Sequence, residues 1–135
     1  MKRRQAREYA LQRLFQAEFD GDDTIPLPEG LQIGSIANQD LKKFAEDLAT
    51  GTLGNLAEID GIIQKAAENW ELGRMAVVDR NILRCATYEL AFRPDNPAAV
   101  TINEALEIAK KYSALDAVPF INGLLDKIAR TLKKS

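Results

Sequence analysis

The chain has 135 residues, of which 46% are hydrophobic and 28% charged, and its formal net charge is −2. This length and balance are typical of one folded domain and argue against a disordered, collagen-like or disulfide-stapled chain. The sequence has no histidine and one cysteine, Cys85, which excludes imidazole bases, histidine-dependent nucleophiles, intrachain disulfides and cysteine zinc clusters. We therefore expect a single domain over residues 1–135, without common enzyme chemistry, in a reducing cytoplasmic compartment.

Charge is distributed unevenly along the chain. The formal charges of residues 1–13 sum to +4, those of residues 14–47 sum to −6, and those of residues 48–135 sum to zero. An acidic chain normally argues against nucleic-acid binding, but a basic end beside an acidic segment is a reason to expect a polyanion site. No apolar run approaches the roughly 20 residues that span a bilayer, and the charged N-terminus lacks the apolar core of a signal peptide. We expect no membrane partner.

Apolar residues recur at helical spacing, and no stretch alternates with period two for long enough to predict a strand. The first helix is predicted over residues 3–20, ending at Gly21, and a loop follows over residues 21–37. Further helices are predicted over residues 38–53, 56–68, 76–92, 99–111 and 117–132, with Asn38 and Asp116 as N-caps and a break at Gly73. Gly51 and Gly54 either weaken the second helix or allow close packing. The pattern predicts an all-α domain of six or seven short helices.

Three arginines open the first helix. Arg3, Arg4 and Arg7 are spaced so that one helix face presents them together. Cations at a helix N-terminus oppose the helix macrodipole, and a locally unfavourable arrangement of this kind is typical of a functional site. With the free N–H groups they would form a phosphate-binding end. The alternative is a solvated helix start neutralised by the acidic residues of 20–29, and the residues alone leave both interpretations open.

Aromatic residues meet lysines at the junction before the last helix. Tyr112 and Phe120 flank this junction, with lysines at 110–111 before it and Lys127 after it. Rings for base stacking beside ammonium groups for phosphates resemble a platform for single-stranded RNA. The alternative, favoured on spacing alone, is that these rings belong to the core, as is predicted for Trp70.

Glu89 falls within the apolar arc of the predicted fourth helix. A buried carboxylate is costly unless it is paired, so we expect it to meet an arginine, a tyrosine hydroxyl or a backbone N–H. No second carboxylate shares its face, and the chain lacks a Gly-rich phosphate loop, a GxSxG motif and a CxxC motif. We expect no catalysis, no cofactor and no metal.

Four blocks of the sequence resemble the NusB family of transcription antitermination factors: residues 3–8, 78–90, 102–105 and 120–127. The resemblance implies an all-α fold of two packed three-helix bundles. NusB-like proteins pair with NusE, a small-subunit ribosomal protein, and bind the boxA element of nascent ribosomal RNA to suppress premature termination. The resemblance therefore implies that boxA-type RNA and NusE are partners of this chain, and that the transcribing RNA polymerase complex is an indirect partner.

The resemblance also implies roles for individual residues. Phosphates would be held by Arg3, Arg4 and Arg7, and NusE would be faced by Glu71, Asp79 and Arg80. The rest of the RNA track would be lined by Tyr112, Asp116, Phe120, Asn122 and Lys127, with Phe15 beside it. A stretch similar to residues 70–90 also occurs in the N-terminal domain of ribosomal RNA cytosine methyltransferases, from which we expect the RNA-associated module without the enzyme. A different interpretation is a protein–protein module whose arginines pair with an acidic partner or, in a homodimer, with a second copy.

Overall fold

The computed structural model describes residues 2–20, 24 and 26–133, and Gly21, the predicted end of the first helix, lies outside them. The described part of the chain contains six α-helices and no strand, which confirms the predicted all-α class. No helix among these residues is long and apolar enough to cross a membrane. The helices are α1 (Lys2–Ala17), α2 (Gln39–Gly54), α3 (Leu56–Ala67), α4 (Val77–Phe92), α5 (Ala98–Tyr112) and α6 (Ala117–Thr131), with a 3-10 turn at Leu72–Arg74.

The helix ends follow local chemistry, with two departures from the predictions. Asn38 caps α2 as predicted, because its side-chain oxygen accepts a hydrogen bond from the Leu41 N–H at 3.1 Å. The first helix ends earlier than predicted, at Ala17, and a turn continues to Asp20, which has a left-handed φ of 55°. Asp116 occupies the N-cap position of α6, but its own backbone is helical and its side chain caps no N–H of the described residues. Its carboxylate is instead exposed.

Helix α4 organises the core, since it packs against all five other helices. Its buried residues run from Asn81 to Leu90 and are interrupted only at Arg84. Helix α1 packs chiefly on α2, and α3 packs on α4 and α6 through a stripe of Ile59, Ile63 and Ala67. The buried apolar side chains form one continuous cluster, so the helices of the chain share a single core.

Helices α2 and α4 approach closely at Gly51. A Cβ atom on Gly51 would lie 2.3 Å from the Tyr88 ring. That ring is held in place, because its hydroxyl donates a hydrogen bond to Asp47 at 3.0 Å and its face stacks on Phe92 at 5.4 Å. Gly51 therefore allows close helix packing, whereas a Cβ on Gly54 would meet no described atom within 4 Å.

The Gly51→Ala variant is expected to lower the free energy of unfolding by about 1–3 kcal/mol, because the added methyl group overpacks the contact with Tyr88. Urea denaturation followed by circular dichroism measures this loss. The matched control is Gly61→Ala in the middle of α3, where a Cβ meets nothing within 4 Å and where replacing glycine in a helix should stabilise by about 0.5–1 kcal/mol. A change of the unfolding free energy with the same sign in both variants would contradict the explanation that Gly51 is needed for the close approach of α2 and α4.

Candidate nucleic-acid interface

The three arginines at the start of α1 do not share one exposed face. Arg3 is exposed and its guanidinium lies over an aromatic ring of α2 at 4.4 Å. Arg4 is half-buried and forms a two-pronged ion pair with Glu104 of α5, at 2.9 and 2.8 Å. Arg7 is 5% exposed and forms an equivalent pair with Glu89 of α4, both bonds being 2.8 Å long. The prediction that one face presents all three guanidiniums together is therefore wrong, because α1 lies across α4 and α5 and turns Arg7 into the core.

Arg7 and Glu89 are the centre of a buried polar network. The Glu89 carboxylate also accepts hydrogen bonds from the Asn96 amide at 3.1 Å and the Thr101 hydroxyl at 3.3 Å. Burial alone would lower the pKa of Arg7, but the hydrogen bonds and the charge of Glu89 outweigh burial and raise it. The expectation that Glu89 is buried and paired is confirmed, and of the three kinds of partner predicted the structure has an arginine. Arg7 ties α1 to α4 instead of facing solvent.

Phe15 also lies in the core. Its side chain is 9% exposed, and its ring packs against Phe19 with the ring centroids 5.3 Å apart. It follows Leu11 and Leu14 on the buried stripe of α1, so helical spacing alone places it against the other helices. A ring buried in this way has no free face for a nucleobase, and Phe15 does not belong to the exposed interface.

The other residues of the predicted RNA track follow α5 into its junction with α6. Arg4 is held at Glu104, and Tyr112 ends α5 eight residues later, which is about 12 Å along the helix axis. Beyond Tyr112, Asp116 and Asn122 are exposed and Phe120 is half-buried. We call this surface the α5 track, formed by Arg4, Lys110, Lys111, Tyr112, Asp116, Phe120 and Asn122, together with the exposed Arg3, which precedes Arg4 on α1 and lies over a ring of α2.

Lys110 and Lys111, which the sequence places beside the aromatic rings of the predicted RNA platform, lie on the α5 track. Lys111 lies 5.3 Å from the centre of the Tyr112 ring, and its ammonium donates to the buried Glu8 of α1 at 2.7 Å. Lys110 pairs with Glu107 at 2.8 Å. Both lie in the last turn of α5, where the helix macrodipole favours cations. Their position directly before Tyr112 was the signal available in the sequence.

Most cations of the α5 track therefore have a carboxylate partner within the protein. The hydrogen bond from Arg4 lowers the pKa of Glu104, and the hydrogen bond to Glu8 raises the pKa of Lys111. Lys127, also predicted for the track, donates to the Ala66 carbonyl at 3.1 Å and to the Glu68 carboxylate at 3.0 Å. These pairs hold the basic side chains in place, but an RNA phosphate would have to take the place of a carboxylate.

The residues predicted to face a partner protein have different surroundings. Asp79 is half-buried and accepts a hydrogen bond from the Ser113 hydroxyl at 2.6 Å, which joins the start of α4 to the end of α5. Glu71 is exposed. Arg80 is paired with Glu18 of the turn after α1, and its side chain is 17% exposed. Asp79 and Glu71 are thus accessible to a partner, whereas Arg80 mainly braces the contact between α1 and α4.

Trp70 is not part of the core, and its prediction as a core residue is wrong. Its side chain is 60% exposed and packs edge-on against Phe120, with the ring centroids 5.5 Å apart. Trp70 lies in the turn that follows α3, beyond the buried stripe of that helix, and Glu68 at the end of α3 has a positive φ of 48°. The two rings line a groove of about 340 Å³, which we call the Trp70 groove and which is completed by Arg74, Met75, Ala76, Asp79, Asp116 and Ala117.

An all-α domain that carries an aromatic groove and a track of paired arginines and lysines belongs to the class of macromolecule-binding domains. The sequence profile of the NusB family matches residues 4–130, and the chain belongs to this family. The transcription antitermination protein NusB of Desulfitobacterium hafniense is 47% identical over 146 residues, covering 99% of this chain and 92% of the relative. The transcription antitermination protein NusB of Geobacter sulfurreducens is 48% identical over 134 residues, covering 96% of this chain and 95% of the relative.

Solved structures support the same assignment. T. maritima NusB is 42% identical, with a TM-score of 0.81 over 95% of this chain and 90% of that chain. A complex of the antitermination factors NusB and NusE with double-stranded RNA contains a chain that is 27% identical, with a TM-score of 0.81 over 96% of this chain and 97% of that chain. The family predicted from the four sequence blocks is confirmed.

The Arg7→Ala variant is expected to lose about 3–5 kcal/mol of unfolding free energy, because it leaves the Glu89 carboxylate buried without its cation. Arg3→Ala is the matched control on the same helix and should lose about 0.5–1 kcal/mol, since it removes an exposed cation–π contact. Urea denaturation measures both losses. If Arg7→Ala does not fold, Arg7→Lys replaces it, since lysine keeps the charge without the two-pronged geometry. Equal losses at both positions would contradict a structural role for Arg7.

The Arg4–Glu104 pair predicts a specific pH dependence. The pKa of Glu104 is lowered in the folded protein, so the pair stabilises the fold above the unfolded pKa of about 4.3 and loses this effect as the pH falls through the folded pKa. The stability difference between wild type and Glu104→Gln, measured in urea from pH 7 to pH 3, should therefore shrink toward pH 3. A difference that stays constant with pH would show that the substitution acts through packing.

Proposed function

We propose that this chain is a non-catalytic transcription antitermination factor that binds boxA-type single-stranded RNA of nascent ribosomal RNA together with NusE. The main support is the match to the NusB family over residues 4–130. The similarity of this chain to a chain in a complex of NusB and NusE with double-stranded RNA supports RNA and NusE as partners. The protein would act on the transcribing RNA polymerase complex indirectly, through the RNA and NusE. This role places it in the cytoplasm, where bacterial transcription takes place.

The α5 track is the proposed RNA surface. Arg3 and Arg4 lie at one end and would hold phosphates, and Tyr112 and Phe120 lie at the other end and would stack on bases. Asn122 offers an amide for base edges, and Lys127 lies farther along α6. Arg7 and Phe15 are left out of the proposed RNA contacts because both are buried.

The ion pairs of the α5 track decide how readily its cations can reach a phosphate. Lys110 and Glu107 are 57% and 42% exposed, and an exposed pair of this kind contributes little and exchanges easily. Arg4 and Glu104 are 28% and 17% exposed and are joined by two hydrogen bonds, so releasing Arg4 costs more. We infer moderate RNA affinity for the chain alone, and an increase when NusE extends the surface.

NusE is proposed to dock near the start of α4. Glu71 and Asp79 present carboxylates there, which suits a basic patch on the partner. Arg80 contributes by fixing this region, since it donates to the carbonyls of Gly73 and Met75 that precede α4.

A salt titration of RNA binding tests the proposal. Fluorescence anisotropy with single-stranded boxA RNA, in the presence of NusE, gives the slope of log K against log salt for wild type and for the Arg3→Ala/Arg4→Ala double variant. Losing two phosphate contacts to a single strand should weaken binding and reduce the magnitude of the slope by about 1.4.

The control for this titration is Arg130→Ala at the far end of α6, where the side chain is 74% exposed and pairs with Asp126 of its own helix. It should leave the slope unchanged. A double variant that binds like wild type would show that this end of α1 does not hold RNA. A chain that binds NusE but no RNA under any salt condition would instead support a purely protein–protein module.

A further inference from the structure

Trp70 is the single tryptophan of the chain, and no role for it follows from the resemblance to NusB proteins. We propose that the Trp70 groove holds one unpaired nucleobase of the bound RNA, stacked on the Trp70 ring, while the exposed Asp116 accepts a hydrogen bond from its amino group. This inference rests on the proposed function and adds a base-specific contact to the α5 track.

The exposure of the aromatic pair is the first argument. Trp70 is 60% exposed, although a tryptophan side chain is normally largely buried. Its contact with Phe120 is edge-on, with an interplanar angle of 63°, so the two rings do not cover each other face to face. The exposed part of the Trp70 ring is therefore available to a base, and stacking on an aromatic side chain contributes about 1–3 kcal/mol per base.

The charge of the groove decides which part of an RNA it can take. Asp79 and Asp116 line it, and Arg74, the basic side chain among its described lining residues, lies 3.4 Å from the Glu71 carboxylate. Carboxylates repel phosphates but accept hydrogen bonds from base amino groups, as aspartate does from cytosine N4. Asp79 is bonded to Ser113 and belongs to the face proposed for NusE, so the acceptor is the exposed Asp116, which caps no described N–H. The groove therefore favours cytosine, adenine or guanine over uracil.

The position of the groove is the third argument. Asp116 and Phe120 belong to the α5 track, so a strand that follows the track reaches the groove without leaving the surface. Its volume of about 340 Å³ is at the small end of ligand pockets and suits a single base. Lys127 lies two turns beyond Phe120 on the same face of α6, about 10.5 Å along the axis. Its partner Glu68 is 66% exposed, so Lys127 is placed to meet a phosphate next to the stacked base.

The fluorescence of Trp70 tests the proposal directly, because no other tryptophan of the chain contributes to the signal. Titrating the full chain with single-stranded boxA RNA should quench its emission as the RNA binds. RNAs that carry one abasic site at a time should locate the nucleotide whose base causes the quenching. Replacing that base by uracil should weaken binding, whereas exchange among the three amino-bearing bases should have a smaller effect.

Binding measurements on variants provide the second part of the test. Trp70→Ala should weaken RNA binding by about five- to a hundredfold, and Trp70→Phe should keep most of the affinity. The control is Val100→Ala, which truncates an apolar side chain that is 48% exposed at the other end of α5, and it should bind like wild type. Circular dichroism confirms that each variant is folded.

The outcomes separate this inference from the proposed function. If Trp70→Ala binds RNA as Val100→Ala does, while Arg3→Ala/Arg4→Ala loses affinity, the nucleobase site is wrong and the proposed function stands. If NusE alone quenches Trp70 and Trp70→Ala weakens NusE binding instead of RNA binding, the groove is a protein-docking site and the inference is overturned. Equal binding of the uracil-substituted RNA would overturn the role of the Asp116 carboxylate. If wild type binds no RNA with or without NusE, the proposed function itself fails.

Discussion

The buried ion pair between Arg7 and Glu89 is the interaction on which the arrangement of this domain depends. Two opposite charges inside an apolar core are tolerated only if each satisfies the other, so this pair allows one placement of α1 on α4. Asn96 and Thr101 complete the hydrogen bonding of Glu89 and bring the start of α5 into the same network. With α1 fixed in this way, Arg4 meets Glu104 and Arg3 lies over Phe44. The location of the proposed phosphate-binding end thus follows from a charge pair that RNA itself does not touch.

Local sequence signals predicted the helices well because helix formation depends on spacing, caps and breakers that lie close together in the chain. The Asn38 cap, the helical stripe of α4 and the need of Glu89 for a hydrogen-bonding partner could all be inferred without tertiary information. The identity of that partner could not, because Arg7 lies 82 residues away. Spacing also placed Arg3, Arg4 and Arg7 on related faces of α1, but it could not reveal which neighbouring helix would cover Arg7.

The candidate site was only partly predictable for the same reason. The carboxylates that hold Arg4 and Lys111 are separated from them by 100 and 103 residues, so the sequence showed the cations without their partners. The sequence predicts Trp70 as a core residue because aromatic side chains near a helix junction are more often buried, yet its side chain is 60% exposed in the turn after α3. Glu68 at the end of α3 has a positive φ of 48°, which non-glycine residues adopt infrequently, and no pattern in the sequence indicated it. The aromatic groove is therefore a feature that the folded chain alone reveals.

The hydrogen bond from Ser113 to Asp79 has a consequence for how the two proposed faces communicate. Asp79 belongs to the face proposed for NusE, whereas Ser113 follows Tyr112 in the α5 track. A partner that draws the Asp79 carboxylate toward itself weakens its bond to Ser113 and alters the junction that RNA would contact. Such a link is a thermodynamic coupling, and coupling is reciprocal: whatever factor NusE applies to RNA affinity, RNA must apply to NusE affinity. One 2.6 Å contact would thereby make the binding of NusE and the binding of RNA depend on each other.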